Sequence, residues 1–555
     1  MDPMLCLEAE VRKAQVNKET VVAVFFYVEK AYDMMWKEGL LIKLDIMGVG
    51  GRIYNWIKDF LFGRTIQVRV GKSLSGSYLV DNGTLQGSVI SSLLFSIMIN
   101  DVYSQVQPDI GRSLFADDGA LWKRGRNVPY IVRKVQEAID EVERWALMWG
   151  FRFSVEKTQT VFFTRRKVGD EVCLRLYGRN LERVGAFRFL GVYFDTRLTW
   201  AEHIERVVGK YKKVLNVMRC LTRKEWGAGR SSLKTMYVAL IRSVIDYGSI
   251  AYGSAAWTSL ERLDVIQGQG LRICSGAFRT SPVAALQVEM GDMPLQIRRQ
   301  QLAMNYWVNL QGHGVSHPAK GILQACWEHE RRQNTSFGWM GNTQAKEMGL
   351  YGREFSLTVV IPVNPPWLLP PPVVDLEVLE RLQKDREGVD PADFFKRRLE
   401  TVYQDFVAIY TDGSKDPRTG RTGSAFVVQL CGVEVRKRIS DHLAVYTAEL
   451  MAILLALQWV EEAKPDRVVI CSDSCAVLMS LQSFSSRSRQ DLLYEVLQTH
   501  GRIKQMGIQI RFTWVPAHVG VEGNEAVDEQ AKQALSSGDV DVEVSMSKAE
   551  AKRLI

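Results

Sequence analysis

Two apolar runs that each end on an aspartate constrain most strongly how the C-terminal part of this chain can fold. Asp412 closes the run Phe406-Val-Ala-Ile-Tyr-Thr-Asp412, and Asp473 closes Val468-Val-Ile-Cys-Ser-Asp473. Short runs rich in β-branched and aromatic residues are typical of strands. Periodicity predicts strands near 406–413, 424–430, 433–440, 467–473 and 508–515, and helices at 444–463, 474–483, 489–506 and 523–535. The pattern therefore indicates a mixed five-stranded sheet with flanking helices.

Two more carboxylates fall on the predicted helices, Glu449 on the first and Asp528 on the last. Mg²⁺ prefers oxygen ligands, and four such carboxylates can hold two Mg²⁺ ions roughly 4 Å apart, an arrangement that hydrolyses phosphodiesters. One aspartate at a strand end is more often a turn or cap residue. Four acids in these contexts favour a two-metal site, in which Mn²⁺ can substitute for Mg²⁺.

Composition and charge argue against a secreted or membrane-spanning protein. The chain has 555 residues, a net charge of +8 and eight cysteines, none of them in Cys-x-x-Cys pairs. The charge permits a polyanionic partner, and the scattered cysteines predict free thiols in a reducing compartment. No apolar run approaches the length of a membrane span, and the N-terminus lacks the features of a secretory signal. We therefore expect an intracellular protein that is neither secreted nor embedded in a membrane.

A proline-rich stretch, residues 361–372, marks the clearest boundary. Six of the 16 prolines fall within it, which predicts an extended linker or surface wrap.

A second group of motifs lies in the first 200 residues. Phe115-Ala-Asp-Asp118 places Asp117 and Asp118 in a tight turn, where paired carboxylates repel unless a cation lies between them. Four other segments accompany it: Asn82-Gly-Thr-Leu-Gln-Gly-Ser88, Leu93-Leu-Phe-Ser-Ile-Met-Ile-Asn-Asp101, Phe153-Ser-Val-Glu-Lys-Thr158 and Phe189-Leu-Gly-Val192.

The C-terminal segment resembles a type 1 ribonuclease H domain. The resemblance is carried by Tyr410-Thr-Asp-Gly-Ser414, Thr447-Ala-Glu-Leu450, Ser472-Asp-Ser474 and Trp514-Val-Pro-Ala-His-Val-Gly-Val-Glu-Gly-Asn-Glu-Ala-Val-Asp528. It implies that Asp412, Glu449, Asp473 and Asp528 are the metal ligands and that His518 shuttles protons or helps the product leave. It also implies that Gly413, Ser414 and Asn524 contact an RNA–DNA hybrid, the substrate of this family.

The first 300 residues resemble the palm and thumb of a non-LTR retrotransposon reverse transcriptase. In that family the palm binds an RNA template and DNA, and Asp117 and Asp118 match its metal-binding turn. Tyr32 matches the aromatic residue that excludes ribonucleotides. Gln86 and Gly87 match the loop that contacts template and nucleotide, and Lys157 is expected near the leaving pyrophosphate.

Together the two resemblances predict a multidomain α/β and α+β fold, with a right-hand palm, a helical thumb and a ribonuclease H domain. The expected order is a fingers remnant (1–20), palm (21–195), thumb (196–300), connection (301–400), ribonuclease H domain (401–540) and tail (541–555). In the thumb, Lys210, Lys213 and Arg223 are expected to face phosphates from the outer side of a helix. The family would place the protein in a cytoplasmic or nuclear ribonucleoprotein.

The chain departs from the family at the first palm motif, Phe25-Phe-Tyr-Val-Glu-Lys-Ala-Tyr-Asp33. Tyr27 stands where the family has a metal-binding aspartate, and a phenol is neutral at pH 7 and a poor Mg²⁺ ligand. Glu29 would lie about 7 Å farther along a strand and so could not replace it. Only 26 residues precede Tyr27, fewer than the family's fingers region requires. We therefore expect a truncated copy whose polymerase activity is absent or very weak.

Three hypotheses follow. The leading one is a ribonuclease H that cuts RNA in RNA–DNA hybrids beside a defective palm. A second is a non-catalytic nucleic-acid-binding relic, favoured in the palm by Tyr27 but disfavoured in the nuclease by its four acids. A third is an active polymerase that tolerates Tyr27.

Overall fold

The structure is a computed structural model, and it describes residues 1–169, 172–222, 226–325, 337–358, 364–384 and 390–555. Contacts divide the chain into two units, residues 1–303 with 318–341 and residues 304–317 with 342–555. No helix in the described ranges combines the length and apolarity that crossing a membrane would need.

Strands and helices alternate in the first part of the first unit. In chain order they are α1 (Asp2–Val16), β1 (Thr20–Tyr27), α2 (Lys37–Ile46), α3 (Gly51–Leu61), β2 (Thr65–Ile66), β3 (Arg69–Val70), β4 (Ser73–Leu74), β5 (Tyr78–Leu79), α4 (Val89–Ile99), β6 (Gly111–Phe115), β7 (Asp118–Gly125), α5 (Val128–Trp149), β8 (Gln159–Phe163), β9 (Arg175–Leu176), β10 (Arg179–Asn180), β11 (Glu182–Arg183), β12 (Ala186–Phe189) and β13 (Val192–Asp195).

Five of these strands form a sheet in the order β11-β8-β1-β7-β6, in which β1 is central and antiparallel to both neighbours. Alternation along β1 gives the sheet two different faces. Val22, Val24 and Phe26 belong to the large core that includes residues of α4 and α5. Phe25 points to the other face, where its ring stacks on Phe187 of β12 with centroids 4.3 Å apart. Tyr27 lies on the same face as Phe25.

The rest of the first unit is helical. Its elements are α6 (Ala201–Cys220), α7 (Arg230–Tyr237), a π-helical turn (Val238–Arg242), α8 (Ser243–Asp246), α9 (Ser249–Tyr252), α10 (Trp257–Ser275), α11 (Val283–Glu289) and α13 (Pro318–Ala325), while α12 (Leu295–Gln311) and α14 (Phe337–Glu347) run through the limits of the two units. One face of α6 is buried, and Ile204, Tyr211 and Leu215 on it are fully buried. Lys210 and Lys213 are exposed as expected; Arg223 lies outside the described residues.

The second unit contains the remaining elements. They are a 3₁₀ turn (Pro366–Leu368), β14 (Val373–Asp375), α15 (Glu377–Lys384), α16 (Pro391–Val402), β15 (Val407–Lys415), β16 (Thr422–Val428), a 3₁₀ turn (Gln429–Cys431), β17 (Val433–Ile439), α17 (Val445–Ala463), β18 (Arg467–Ser472), α18 (Cys475–Ser483), α19 (Gln490–Gln505), β19 (Gln509–Trp514), α20 (Glu522–Ala534) and α21 (Lys548–Ala551). The predicted mixed sheet with flanking helices is confirmed, and each predicted strand and helix ends within a few residues of its expected position.

The expectation of five strands was wrong, because the sheet has six in the order β14-β19-β18-β15-β16-β17. The extra edge strand β14 runs parallel to β19, pairing Val373 with Arg511 and Asp375 with Thr513. It directly follows the proline-rich stretch, of which residues 361–363 lie outside the described residues. Prolines are tolerated beside an edge strand because no neighbour requires their missing N–H groups.

Candidate functional site

Three of the four predicted nuclease carboxylates converge on the six-stranded sheet of the second unit, where the pairing of β15 with β18 ends. Asp412, Glu449 and Asp473 each offer a carboxylate oxygen, and these oxygens lie within 4.8 Å of one another. β15 and β18 are adjacent and parallel, with Thr411 opposite Ser472, so Asp412 and Asp473 emerge side by side. Glu449 reaches the same point from the second turn of α17, a helix that packs on β15.

Crowding of like charges in a buried place raises the pKa values of these acids. Burial and then the charges of Asp473 and Asp528 raise the pKa of Asp412 to about 7. Burial followed by the charges of Asp412 and Asp473 raises the pKa of Glu449 well above its usual range. Burial also raises the pKa of Asp473, although a hydrogen bond from Asn524 opposes that effect. The three carboxylates therefore repel one another and need either protons or a cation.

The donor set fits a divalent hard cation. All three groups present oxygen, the ligand that Mg²⁺ prefers. Glu449 Oε2 is buried and has no hydrogen-bond partner among the described residues. A buried acceptor without a donor is destabilising, and a metal ion would satisfy it.

Asp528 stands beside this group and not within it. Its charge raises the pKa values of Asp412 and Asp473, which places it near both carboxylates. Its Oδ2 accepts a hydrogen bond at 2.7 Å from Lys532 one turn later on α20. Lys532 is exposed, so this ion pair contributes little stability and can open.

The loop that follows β19 and the start of α20 carry two further predicted residues, His518 and Asn524. His518 is exposed, has a backbone φ of 54°, and its charge lowers the pKa of Asp473. Asn524 is only 3% exposed and donates its side-chain hydrogen bond to Asp473, while its Oδ1 has no partner in the described part of the chain. The sequence predicted a hybrid contact for Asn524; the structure places its amide on a carboxylate of the cluster.

Gly413 is fixed by close packing. A Cβ atom at this position would lie 2.4 Å from the backbone nitrogen of Glu449 and 2.6 Å from the carbonyl carbon of Ala448. Only glycine lets β15 approach α17 this closely. Ser414 next to it is half-buried.

Two supporting residues were not predicted from the sequence. The indole Nε1 of Trp514 donates to the backbone oxygen of Asp473 at 2.9 Å, and Ser424 Oγ donates to the backbone oxygen of Ala448 at 2.8 Å. Trp514 opens the motif that ends at Asp528, which was a usable signal. Ser424 had none, because its partner belongs to a different element.

In the first unit, Tyr27 and the Asp117-Asp118 turn come together. Tyr27 is the last residue of β1 and pairs directly with Asp118, the first residue of β7. Ala116 in the intervening turn has a φ of 52°. Burial and the charge of Asp117 raise the pKa of Asp118, and Arg188 opposes this. In the described ranges, the only group of three or more potential metal ligands within 4.8 Å is the nuclease cluster, so the palm acids are not joined by a third carboxylate at that distance.

Lys157 lies directly against the substituted position. Its Nζ is 4.2 Å from the centroid of the Tyr27 ring, a cation–π geometry. Where the family's metal-binding carboxylate would stand, this chain thus has an aromatic face covered by an ammonium group. Glu29 was expected to continue the strand, but it lies in a turn after β1, where its backbone N–H donates to Arg152 O at 2.8 Å.

The other predicted palm residues are Tyr32, Gln86 and Gly87. The Tyr32 ring packs on Phe95 with centroids 4.9 Å apart, and Gln86 Nε2 donates to Asp33 Oδ1 at 3.0 Å. Gly87 has a φ of 93° and open space around its Cα. The loop containing Gln86 and Gly87 therefore meets the segment after β1.

Two family models match the chain. Residues 1–194 match reverse transcriptase (RNA-dependent DNA polymerase), and residues 404–536 match RNase H. Residues 1–194 therefore form a domain of the reverse transcriptase family, and residues 404–536 form a ribonuclease H domain.

Curated relatives indicate which kind of reverse transcriptase the chain is similar to. The chain is 26% identical over 307 residues to the RNA-directed DNA polymerase from mobile element jockey of Drosophila melanogaster, covering 54% of this chain and 33% of that protein. It is 24% identical over 223 residues to a Pol polyprotein from the type-1 retrotransposable element R1 of Nasonia vitripennis, covering 39% of this chain and 66% of the relative. The chain is thus similar to the polymerases of non-LTR retrotransposons, and it spans 33% of the length of the jockey protein.

Solved structures of ribonucleases H1 also match. That of Halobacterium salinarum is 23% identical, covers 23% of this chain and 97% of its own, and has a TM-score of 0.19. That of LC11-RNase H1 in complex with an RNA/DNA hybrid is 21% identical, covers 23% of this chain and 99% of its own, and has a TM-score of 0.20.

Proposed function

We propose that the second unit hydrolyses the RNA strand of RNA–DNA hybrids, leaving a 3′-hydroxyl and a 5′-phosphate. The observation that carries this proposal is the convergence of Asp412, Glu449 and Asp473 within 4.8 Å. Three crowded carboxylates serve no purpose in stabilising the fold, because their mutual repulsion is destabilising.

Each residue has a distinct part in this reaction. Asp412, Glu449, Asp473 and Asp528 would hold Mg²⁺, with Asp528 released from Lys532. When bound there, the metal supplies a water activated for attack and charge stabilisation at the leaving oxygen. His518 is exposed at the rim and can exchange a proton with the leaving group or with solvent. Asn524 and Trp514 hold Asp473 in place.

The groups that would select the substrate lie beside the same carboxylates. A nuclease specific for hybrids must detect 2′-hydroxyls on one strand only. We assign this contact to the backbone of Gly413 and to Ser414, which adjoin Asp412.

For the palm we propose that polymerase activity is lost or very weak. No third carboxylate from the described residues joins Asp117 and Asp118, and the Lys157 ammonium group occupies the space over Tyr27. The charge of Arg188 already lowers the pKa of Asp118, and a cation near the acids disfavours binding of a second one.

Cleavage of a labelled RNA–DNA hybrid in Mg²⁺ tests the nuclease. The unchanged protein should cut, and Asp473→Asn should reduce cutting by at least about 10³-fold, since one two-metal ligand is lost. A folded protein that binds the hybrid without cutting it would refute the nuclease.

Primer extension on an RNA template tests the palm. Tyr27→Asp should raise extension above the unchanged protein, because it restores a carboxylate beside Asp118. Tyr27→Phe is the matched control; it keeps the ring under Lys157 and should gain nothing. Robust extension by the unchanged protein would show that Tyr27 is tolerated.

A second candidate function for the palm is binding without catalysis. Lys157 and Arg188 present positive charge on the face that holds Tyr27 and Asp118, which suits a phosphate backbone. Binding of a hybrid that persists in EDTA and weakens in Lys157→Ala would support it.

A further inference from the structure

The C-terminal segment beyond the ribonuclease H match contains a carboxylate that is buried against the nuclease unit. Glu550 is 2% exposed, although it lies beyond residue 536, where the family match stops. Acidic residues are seldom buried this completely unless they are bound on all sides. The contacts of Glu550 therefore identify what this segment does.

Both oxygens of Glu550 are held by donors. Oε1 accepts from the backbone N–H of Ala444 and from Thr447 Oγ1, each at 2.7 Å. Oε2 accepts from the backbone N–H of Ser547 at 2.8 Å and lies 3.7 Å from Nη1 of Arg489, which is itself 2% exposed. Ser547 and Glu550 also form the capping box of α21, which fixes the side chain from its own helix.

The two contacts of Oε1 fall on the start of α17. Ala444 is the N-cap of that helix and has no side chain able to cap it, and Thr447 lies in its first turn. Glu550 thus accepts, from a distant part of the chain, the N-cap N–H that a glutamate at the third helical position accepts in a capping box. Its negative charge also suits the positive end of the helix dipole.

The first turn of α17 leads directly into Glu449. Gly413 lets the same turn lie close to the sheet, and the hydroxyl of Ser424 donates to a backbone oxygen of that turn. Those contacts fix how close the helix lies to the sheet, whereas Glu550 fixes its end. A metal ligand must be held to about 0.5 Å.

We propose that Glu550 is a positioning residue of the nuclease, which sets the place of the Glu449 carboxylate and so the affinity of the site for Mg²⁺. The proposal rests on the proposed nuclease function for its activity readout, but not for its binding readout.

Glu550→Gln is the sharpest variant, since it keeps size and shape. Whichever way the amide is turned, its NH₂ group faces the backbone N–H of Ala444 or that of Ser547, so one buried donor loses its acceptor. The matched control is Asp541→Asn. Asp541 lies on the same segment, and its Oδ2 accepts from the backbone N–H of Arg438 on β17 and not from α17.

Calorimetric titration of the EDTA-treated 555-residue proteins with Mg²⁺ is the first measurement. Glu550→Gln should weaken Mg²⁺ binding by about tenfold, the usual consequence of losing a group that orients a metal ligand. The Mg²⁺ concentration for half-maximal cleavage should rise by the same factor, with KM for the hybrid unchanged. Asp541→Asn should alter neither quantity.

Unchanged Mg²⁺ affinity in folded Glu550→Gln, or an equal loss in Asp541→Asn, would overturn the proposal. If Glu550→Gln does not fold, Thr447→Val removes only the hydroxyl donor. It should weaken Mg²⁺ binding in the same direction, and an unchanged affinity would reject the role of Glu550. If the unchanged protein binds Mg²⁺ but cuts no hybrid, the nuclease proposal fails while the titrations still decide the role of Glu550.

Discussion

At the scale of single residues, Asp412 couples the nuclease site to pH. Its pKa is about 7 in the folded protein against an ordinary value of 3.8. Between these values the folded state binds a proton that the unfolded state releases, so stability contributed by this group is full below pH 4 and is lost as pH rises through 7. In EDTA the second unit should lose up to about 1.4 kcal/mol of stability per pH unit from this group over that range.

Urea denaturation between pH 4.5 and 7, followed by hydrogen exchange in peptides from 404–536, measures this slope. Asp412→Asn should flatten it, because an amide does not titrate. A slope that is the same in both proteins would assign the pH dependence elsewhere.

Protons and Mg²⁺ compete for these carboxylates, which predicts the opposite trend when metal is present. Stabilisation by saturating Mg²⁺ should grow as pH rises from 5.5 to 7.5, because binding requires deprotonated ligands. Melting temperatures with and without Mg²⁺ across this range provide the measurement. Stabilisation independent of pH would show that the metal binds away from Asp412 and Glu449.

Gly413 offers a test of close packing beside the site. Gly413→Ala adds a methyl group where α17 leaves no room, so we expect about 1–3 kcal/mol of destabilisation and a loss of cleavage. Gly538→Ala is the control, because a Cβ there meets no atom within 4 Å. Equal stability of the two variants would mean that α17 moves away freely.

At the scale of elements, local patterns predicted what depends on local sequence. The runs ending at Asp412 and Asp473 became β15 and β18, since apolar strands between turn residues are recognisable alone. β14 was missed because three residues after a proline run carry no periodicity, and only its pairing with β19 makes it a strand. Glu550 was missed for the same reason: its Ala444 partner is 106 residues away.

Asp375 links the edge strand β14 to the C-terminal end of α16. Its Oδ2 accepts from Tyr403 at 2.6 Å and from Arg398 Nε at 2.8 Å. Burial alone would raise the pKa of Asp375, but these bonds and one from the backbone of Glu377 lower it overall. This stability is therefore present above pH 4 and is lost as pH falls below it.

Asp375→Asn at pH 7 should cost about 1–3 kcal/mol, since a half-buried charged network loses its acceptor. Hydrogen exchange of β14 and β19 amides under mild denaturant reports it. Glu377→Gln is the control, because Glu377 also pairs with Arg398 but is exposed. If both variants exchange alike, Asp375 does not anchor β14.

At the scale of the whole molecule, the two candidate sites belong to different units. Tyr27, Asp117, Asp118 and Lys157 all lie in the first unit, whereas the nuclease carboxylates all lie in the second. Each site is built from residues of its own unit, so a change that only alters one site's ligands should leave the other chemically intact. We therefore expect separable activities.

Tyr27→Asp should leave hybrid cleavage unchanged, and Asp473→Asn in the Tyr27→Asp background should abolish cleavage while preserving any gain in primer extension. Both assays on the four proteins of this double-mutant cycle test the expectation. A loss of extension on adding Asp473→Asn would show instead that the units act as one catalytic assembly.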